Sequence, residues 1–325
     1  MRVLLTGSSG WLGRYLAPLL NENGHEVTGL DVVPGVHTGV IGTVADRALV
    51  ERTMCEHGIE AIIHGGALHK PDIVRYPRQA FVDVNVTGTL NLIEAAVAAG
   101  NDRFLFTSTT SLMVRAEVRE GAGEAGAWWM DEDFGPIEPR NIYGITKLAA
   151  EQAVKLVHRE HGIAALVLRT GRFFPEDDDT HEAPGGENLK ANELLHRRLT
   201  VEDAAAAHLA ALGAAPEIGC DTFILSAPPP FAREEAEELA RDARAVIARH
   251  YPDAADLYAA KGWVLPEIID RVYDPSRAER RFGWRARSDF ASVLAALRDG
   301  TELPFAHDPH YTSPIVAQER EACMC

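Results

Sequence analysis

A run of regularly spaced glycines close to the start of the chain is the feature that most constrains the fold. Gly7, Gly10 and Gly13 follow a short apolar stretch and open an amphipathic one. These two stretches, Arg2–Thr6 and 11–23, have the patterns of a strand and of a helix. Glycines at such a junction allow a tight turn, let the backbone approach a pyrophosphate and let the helix pack on the strand. The spacing therefore predicts a βαβ unit that binds a dinucleotide at the N-terminus of its first helix.

Short apolar runs and longer helical patterns continue to alternate through the middle of the chain. Further strands are predicted at 26–31, 40–44, 60–64, 103–108, 164–169 and 222–226. Further helices are predicted at 47–57, 79–99, 142–161 and 201–212. Strands that alternate with helices and are apolar on both faces indicate a parallel sheet with helices on each side. The predicted fold class is therefore α/β, a Rossmann-type doubly wound parallel sheet.

The pattern changes after residue 171. The stretch 175–193 is rich in proline, glycine and acidic residues and is predicted to be a loop. One amphipathic helix is predicted over 233–250 and a last helix over 287–298, whereas 301–325 lacks periodicity and is expected to be an extended tail. The expected division is a dinucleotide-binding domain over 1–171, completed by 197–227, with a smaller, discontinuous C-terminal substrate-binding part over 172–196 and 228–300.

Composition narrows the class of function. Lys and Arg number 32 against 48 Asp and Glu, a net charge of −16 that argues against nucleic acid as a partner. No apolar run approaches the roughly 18 residues that a membrane span needs, and glycines interrupt the apolar N-terminus before a signal peptide's core could form. The four cysteines are too few and too scattered for a disulfide scaffold, and the tail matches no structural zinc pattern. We therefore expect a cytoplasmic protein without a membrane, nucleic-acid or metal partner.

Asp31 ends the second predicted strand, 18 residues after Gly13. A carboxylate at this position can accept hydrogen bonds from both hydroxyls of an adenosine ribose and would repel a 2′-phosphate. It favours NAD over NADP, whereas Arg14 beside the glycine turn could favour the phosphorylated cofactor. The alternative is that Asp31 is a solvated acid at a strand end.

Tyr143 and Lys147 begin the helix that follows the fifth strand. Side chains four residues apart lie on one helix face, about 5–6 Å apart at Cβ. A tyrosine with a pKa of about 10 is a poor base at neutral pH, and a neighbouring ammonium lowers that pKa by favouring the phenolate. Tyr143 could then move the proton of a carbinol while a nicotinamide takes the hydride, and Lys147 could hold the nicotinamide ribose. The alternative is a pair on the helix surface.

Together these residues make the chain resemble an extended short-chain dehydrogenase/reductase of the NAD-dependent epimerase/dehydratase type. The similar features run from Gly7 to about Leu297. They are Gly7-x-x-Gly10-x-x-Gly13, Asp31, Asp46, His64-Gly65-Gly66-Ala67, Asn85-Val86-Thr87-Gly88-Thr89, Thr107-Ser108-Thr109, Tyr143 with Lys147, Arg169, Val201-Glu202-Asp203 and Arg281-Phe282-Gly283-Trp284. This combination is specific for the family and much less so for the reaction.

The resemblance implies a role for each matching position. Thr109 matches the Ser/Thr that hydrogen-bonds the reacting hydroxyl and Tyr143, with Ser108 as the other candidate, closer to the cofactor. Tyr143, Lys147 and Thr109 would be the catalytic residues. Asp46 would contact the adenine amine, although Arg47 replaces the usual aliphatic neighbour. The residues expected to hold NAD are Gly7, Gly10, Trp11, Leu12, Gly13, Asp31, Asp46, Gly65, Gly66, Ala67, Asn85, Thr107, Ser108, Tyr143 and Lys147.

Three departures from the family pattern bear on the reaction. Thr110-Ser111 stand where dehydratases carry an Asp-Glu pair and decarboxylating relatives a Glu, so elimination lacks its acid and base. Arg172 stands near the position where nucleotide-sugar epimerases have an asparagine. Only about 25 residues separate Phe174 from Val201, where such epimerases usually have a much longer insert. A substrate smaller than a nucleotide sugar is therefore expected.

The segment 169–176 resembles the matching segment of uronate dehydrogenases, which oxidise a free sugar acid at its anomeric carbon. Arg172, Arg197 or Arg198 could pair bidentately with a substrate carboxylate. His69 could reach cofactor or substrate. For each of these residues an ordinary surface position is the alternative. The substrate candidates are His69, Thr109, Arg172 and Arg198.

These observations favour an NAD-dependent oxidoreductase that transfers a hydride at a carbinol of a sugar or sugar acid by a Tyr/Lys/Thr mechanism. One alternative is an NAD-dependent sugar or nucleotide-sugar epimerase, in which NAD is reduced and reoxidised within one turnover. The second alternative is a non-catalytic NAD-binding protein. The resemblance also implies a homodimer that pairs through the helices predicted at 79–99 and 142–161. The insert 114–130 could close over a substrate, form an oligomer contact or be disordered.

Overall fold

The computed structural model describes residues 1–177 and 184–324, and its centre is a parallel sheet. The described strands are β1 (Arg2–Thr6), β2 (Glu26–Asp31), β3 (Val40–Ile41), β4 (Ala61–His64), β5 (Arg103–Thr109), β6 (Trp128–Met130), β7 (Ala164–Thr170), β8 (Cys220–Leu225) and β9 (Arg271–Tyr273). Seven of them form one sheet in the order β3-β2-β1-β4-β5-β7-β8, with every neighbouring pair parallel. The predicted α/β class and doubly wound sheet are confirmed. The strand order reverses between β1 and β4, and in such sheets ligands bind at the carboxyl ends beside this switch point.

Helices cover both faces of the sheet. In chain order they are α1 (Trp11–Glu22), α2 (Arg47–Glu56), α3 (Arg78–Phe81), α4 (Gly88–Ala99), α5 (Ala116–Glu120), α6 (Ile142–His161), α7 (Gly186–Glu193), α8 (Val201–Ile218), α9 (Ala236–Leu239), α10 (Ala243–His250), α11 (Ala254–Lys261), α12 (Ser276–Phe282), α13 (Phe290–Asp299) and α14 (Pro314–Met324). Val3 and Leu5 pack with α1 and α8 on one face. Leu4, between them, packs with α2, α4 and α6 on the other. No helix in the described residues is both long enough and apolar enough to cross a membrane.

The helix predicted over 79–99 is interrupted. A π-helical turn over Val82–Thr87 separates α3 from α4 and places Asn85 in the interior. The Asn85 side chain accepts a hydrogen bond from Leu68 N at 2.9 Å and donates one to Leu68 O at 3.0 Å. Single π turns inside α-helices often occur at functional sites, because they redirect one side chain. This turn fixes the loop that follows β4.

A second apolar cluster lies in the C-terminal part. It includes Phe231, Ile247, Tyr258 and Phe290, and β6 pairs with β9 in a two-stranded parallel sheet beside it. The division of the chain into a dinucleotide-binding domain and a substrate-binding part stays a prediction. Residues 178–183, inside the loop expected over 175–193, lie outside the described residues.

Three predictions for this part are wrong. The stretch 175–193, predicted to be a loop, contains α7 (Gly186–Glu193). The helix predicted over 233–250 is broken: a 3₁₀ turn and α9 precede α10, and the Asp242 side chain caps α10 by accepting a hydrogen bond from Ala245 N. An aspartate that bonds the backbone locally favours a helix start over continuation. The tail is not extended throughout, since α14 begins at Pro314. Proline is common at the first helical position because its fixed φ suits the helix and the missing N–H would be unpaired there.

A buried ion pair fixes α6 to the sheet. The Arg169 guanidinium on β7 donates to both oxygens of Glu151 on α6, at 3.0 and 2.7 Å, and the two side chains are 4% and 0% exposed. The Ser108 hydroxyl on β5 donates to the same carboxylate at 2.6 Å. Because Tyr143 and Lys147 lie on the same helix, this pair sets their position relative to the sheet edge.

We predict that Glu151→Gln destabilises the fold by about 3–5 kcal/mol, because it leaves the buried Arg169 charge uncompensated. Urea unfolding measures the change, and Glu160→Gln, an exposed glutamate on the same helix, is the matched control. Equal stability of the two variants would contradict this reading of the ion pair.

Candidate active site

The glycine turn after β1 is a close-packed cradle. Gly7 has φ +78°, and a Cβ on it would lie 2.8 Å from Gly66 N in the loop after β4. A Cβ on Gly13 would lie 2.3 Å from Gly7 O. These two positions require glycine, because any side chain would separate α1 from the turn or the turn from the β4 loop. At Gly10, just before α1 begins, a Cβ would meet only Gly7 O, at 3.2 Å, so a phosphate can approach this backbone and the residues present fit a dinucleotide.

Asp31 closes the cradle at the end of β2. Its carboxylate accepts hydrogen bonds from Ser9 N at 3.0 Å and from Val33 N at 3.3 Å. Burial raises the pKa of Asp31, and these backbone N–H groups oppose that effect. Arg14, which could have favoured a phosphorylated cofactor, donates from Nε to Ser9 O at 2.9 Å. Asp31 therefore lies next to the glycine turn, and its assignment to the adenosine ribose stays a prediction.

The loop after β4 is held by buried hydrogen bonds. His64 Nδ1 lies 2.7 Å from the Thr6 hydroxyl and its Nε2 lies 3.1 Å from the Thr89 hydroxyl. Burial lowers the pKa of His64 to about 3, so the ring is neutral at physiological pH. Gly66 N donates to the Thr6 hydroxyl at 3.0 Å, and Gly65 and Ala67 are partly buried beside it. The segment is a rigid neighbour of the cradle.

Three consecutive residues at the end of β5 have different partners. The Thr107 hydroxyl lies 2.9 Å from His208 Nε2 on α8, and the Ser108 hydroxyl donates to Glu151. The Thr109 hydroxyl instead accepts from Ser111 N at 3.0 Å and lies close enough to the Tyr143 phenol to lower its pKa. Successive side chains of a strand point to opposite faces of the sheet, which is why Thr107 reaches α8 whereas Ser108 reaches α6.

Tyr143 lies in the first turn of α6, whose N-terminus is capped by Asn141. Burial raises the pKa of Tyr143 to about 12, and the hydrogen bond from Thr109 opposes the rise. The lowered pKa expected from a neighbouring ammonium is therefore wrong for this structure. Lys147 Nζ donates to Thr107 O at 2.7 Å and lies 3.9 Å from the centre of the Phe106 ring. Burial lowers the pKa of Lys147 to about 7.

Asp46 caps a helix in this structure. It is exposed and caps α2, accepting a hydrogen bond from Leu49 N at 3.1 Å. Its assignment to the adenine amine stays a prediction.

Trp11 and Leu12, in the first turn of α1, are partly buried. The Trp11 indole Nε1 is buried and has no hydrogen-bond partner among the described residues.

Aromatic rings connect Tyr143 to the segment after β7. The His69 ring lies 5.8 Å from the Tyr143 ring and 5.9 Å from the Phe174 ring, which stacks on Phe173 at 4.7 Å. Burial, with a smaller effect from Lys147, lowers the pKa of His69 to about 4. The structure thus places His69 beside Tyr143, and its contact with cofactor or substrate stays a prediction.

The two arginines predicted to bind substrate differ in exposure. Arg198 is 2% exposed and donates to Glu193 Oε2 at 2.9 Å and to Phe174 O at 2.5 Å. It therefore joins α7 to the segment 172–176 that follows β7, which is called the wall below. Arg172 is partly exposed, pairs with the Arg198 backbone in an isolated bridge, and donates to Asp177 O at 3.2 Å. Arg172 is therefore better placed to meet a ligand.

Sequence reasoning missed Glu176 and Lys190 on the same wall. Burial raises the pKa of Glu176, whose Oε2 is buried without a hydrogen-bond partner among the described residues. Burial lowers the pKa of Lys190 to about 8, and its Nζ donates to Pro175 O. The proline in the segment indicated a loop, but no pattern showed that its charges turn inward.

The insert 114–130 is fixed in place. Trp128 Nε1 donates to Gly121 O at 2.9 Å, and Trp129 Nε1 donates to Asp274 Oδ2 at 3.2 Å. Both residues lie in β6, which pairs with β9. The two indoles are therefore parts of the C-terminal framework, and the reading of this insert as disordered is wrong.

Known proteins resemble this chain in sequence and in fold. UDP-glucose 4-epimerase of Corynebacterium glutamicum is 32% identical over 178 residues, 52% of this chain and 50% of that protein. Uronate dehydrogenase of Pseudomonas syringae pv. tomato is 27% identical over 181 residues, 54% of this chain and 60% of that protein. The chain spans about half the length of the curated relatives it matches.

A solved structure shows the same fold. The NAD complex of UDP-glucose 4-epimerase from Thermus thermophilus superposes with a TM-score of 0.62 at 22% identity, over 92% of this chain and 99% of that one. The model of the NAD dependent epimerase/dehydratase family matches residues 3–219, which contain the glycine cradle, Asp31, Thr109, Tyr143 and Lys147. The match covers more than half of the chain, and the chain belongs to the NAD dependent epimerase/dehydratase family.

Proposed function

We propose that the protein is an NAD-dependent dehydrogenase that oxidises a carbinol of a sugar or sugar acid. The observation that carries the proposal is the placement of Thr109 beside the Tyr143 phenol at the carboxyl edge of the sheet, with Lys147 buried on the next turn of α6, where its Nζ donates to Thr107 O at 2.7 Å. A phenol and a hydroxyl aimed at one position can hold a substrate hydroxyl and move its proton.

The glycine cradle, Asp31, the β4 loop and Lys147 would hold NAD. The cofactor, when bound, accepts the hydride from the carbinol carbon and brings a positively charged ring that favours the phenolate of a nearby tyrosine. Gly7, Gly10 and Gly13 would offer backbone to the pyrophosphate, and Asp31 would accept from ribose hydroxyls. The further residues proposed to contact it are Trp11, Leu12, Gly65, Gly66, Ala67, Asn85, Thr107 and Ser108.

Tyr143 controls the proton. As a phenolate, once its own proton has passed to solvent, Tyr143 would take the carbinol proton as the hydride leaves, and its pKa of about 12 means that the phenolate needs a cation beside it to form at neutral pH. The Thr109 side chain beside the phenol also favours the deprotonated form. We assign proton transfer to Tyr143 and positioning of the reacting hydroxyl to Thr109.

The segment after β7 supports a sugar acid as substrate. His69 lies beside Tyr143, Phe174 lies beside His69, and the partly exposed Arg172 is two residues before Phe174 in the chain. An arginine can bind a carboxylate through two parallel hydrogen bonds. Arg198, with its salt bridge to Glu193, would keep this wall in shape.

An epimerase is the second candidate, favoured by the similarity to UDP-glucose 4-epimerases. It would use the same Thr109, Tyr143 and Lys147 to move a proton, and the oxidised sugar would be reduced again before release. The two functions therefore differ in net products and not in the residues at the reacting centre.

We also propose a homodimer. Leu90 on α4 and Ile145 and Leu156 on α6 are large apolar side chains that are 42%, 52% and 42% exposed. The two helices cover the same face of the sheet. A second copy that packed on them would bury these side chains.

We predict that Tyr143→Phe lowers kcat by about 10²–10⁴-fold, because it removes the group that moves the proton. Tyr251→Phe, a partly buried tyrosine that packs on Phe290 in the C-terminal cluster, is the matched control and should keep full activity. A Tyr143→Phe variant as active as the wild type would contradict the proposed role of Tyr143 in proton transfer.

A substrate screen decides between the two candidate functions. Purified protein incubated with NAD and free uronates, sugars, polyols or nucleotide sugars should form NADH with a sugar acid, seen by absorbance, and give a product lighter by two hydrogens. A product of unchanged mass, formed without accumulation of NADH, would instead make the protein an epimerase.

We predict that Lys147→Met abolishes activity yet stabilises the fold at pH 6. Burial holds the pKa of Lys147 near 7, below its ordinary 10.5, so below pH 7 the protonated ammonium costs stability. Between pH 7 and 10.5 the folded state loses this proton before the unfolded state does, and the cost fades as pH rises. The advantage of the methionine variant should therefore shrink from pH 6 to pH 10.

Thermal unfolding across this pH range is the measurement, and Lys155→Met, a partly exposed lysine of the same helix, is the control. A Lys147→Met variant less stable than the wild type at pH 6 would show that the contacts with Thr107 O and Phe106 outweigh the cost of burial.

A further inference from the structure

The C-terminal segment 305–319, called the strap below, runs from the C-terminal cluster to the glycine cradle. Phe305 is buried in that cluster. Asp308 N then donates to Pro175 O at 2.9 Å, and His307 Nδ1 lies 2.7 Å from Lys190 Nζ. These contacts attach the strap to the wall that follows β7.

The strap next meets the first residue of α1. The Tyr311 ring packs edge-on against the Trp11 ring, 5.1 Å between centres, and Trp11 in turn contacts Tyr15 at 5.2 Å. Burial raises the pKa of Tyr311 to about 12, with a smaller rise from Glu176 and an opposing effect from Arg14. Tyr311 is therefore enclosed between the start of α1 and the wall.

The far end of the strap is attached on the other side. Glu319 in α14 pairs with Arg75 and accepts from the Tyr76 hydroxyl at 2.5 Å. Arg75 and Tyr76 follow a 3₁₀ turn over Lys70–Val74 that continues the β4 loop and lies next to α6.

Both attachments belong to segments that leave the carboxyl edge of the sheet. Trp11 begins α1 after β1, whereas Arg75 and Tyr76 follow the loop after β4. Because β1 and β4 are neighbours at the switch point, a segment that contacts both Trp11 and Tyr76 spans this part of the edge. The glycine cradle and the β4 loop lie at that edge.

We propose that the strap is the roof of the dinucleotide site and must open for the cofactor to enter or leave. Tyr311 closes it over the start of α1, and Glu319 latches it to Arg75 and Tyr76. The latch is partly exposed, with side chains 27% and 44% accessible for Arg75 and Glu319. A partly exposed ion pair is weak, so the latch can release while Phe305 keeps the base of the strap in place.

The proposal concerns NAD, the cofactor of the family, and needs neither a particular substrate nor net oxidation. Its consequence is kinetic. A closed roof slows both entry and departure of the cofactor, whereas a residue that merely adds a contact slows departure alone.

Stopped-flow fluorescence of NADH tests the roof. Association is followed on mixing, and dissociation by displacement with excess NAD. Tyr311→Ala should raise both rate constants by about tenfold, and Glu319→Gln should raise both by a smaller factor, while the dissociation constant changes less than either rate. Glu302→Gln, an exposed glutamate just before the strap, is the control and should match the wild type.

Glu319 is a surface side chain, so Glu319→Gln should fold normally. It therefore still tests the roof if thermal unfolding shows that Tyr311→Ala is unstable. Rates within twofold of the wild type in Glu319→Gln and in a folded Tyr311→Ala would overturn the roof. A rise in dissociation alone would also overturn it, because Tyr311 would then be only a contact. Wild-type protein that binds no NADH would overturn the cofactor assignment along with it.

Discussion

The close approach of two backbone turns is the constraint on which the rest of the structure depends. The turn after β1 packs so tightly on the loop after β4 that a single Cβ at Gly7 would meet Gly66 N at 2.8 Å. This contact brings the N-terminus of α1, the end of β2 and the β4 loop together at the switch point of the sheet. A phosphate-binding surface made of backbone also explains how an acidic chain of net charge −16 can hold an anionic cofactor.

Burial then sets the chemistry at the neighbouring strand end. It raises the pKa of Tyr143 to about 12 and lowers that of Lys147 to about 7, so each group resists its charged form. The Glu151–Arg169 pair, with Ser108, holds α6 in register with β5 and β7. The same helix thus carries the buried ion pair and, one and two turns earlier, Lys147 and Tyr143, the residues proposed to act on the substrate.

Local patterns predicted the elements that carry the site. The bounds of β1, β2 and α6 agree with the sequence analysis because each has a strong periodicity and clear end signals. The pairing of β6 with β9 joins residues far apart in the chain and has no local signature. The partners of Ser108 and Thr109, the enclosed charges of Glu176 and Lys190, and the contact of Tyr311 with Trp11 all depend on tertiary packing. The pKa of Tyr143 also depends on packing, since burial raises it and burial has no local signature in the sequence.

The central claim is that a carbinol carbon gives its hydride directly to the cofactor while Tyr143 moves the proton. The most direct measurement uses a uronate with deuterium at the anomeric carbon and follows the mass of the cofactor after one turnover. The account predicts that the deuterium appears in the reduced cofactor. Formation of an oxidised product with no deuterium in the cofactor would contradict it.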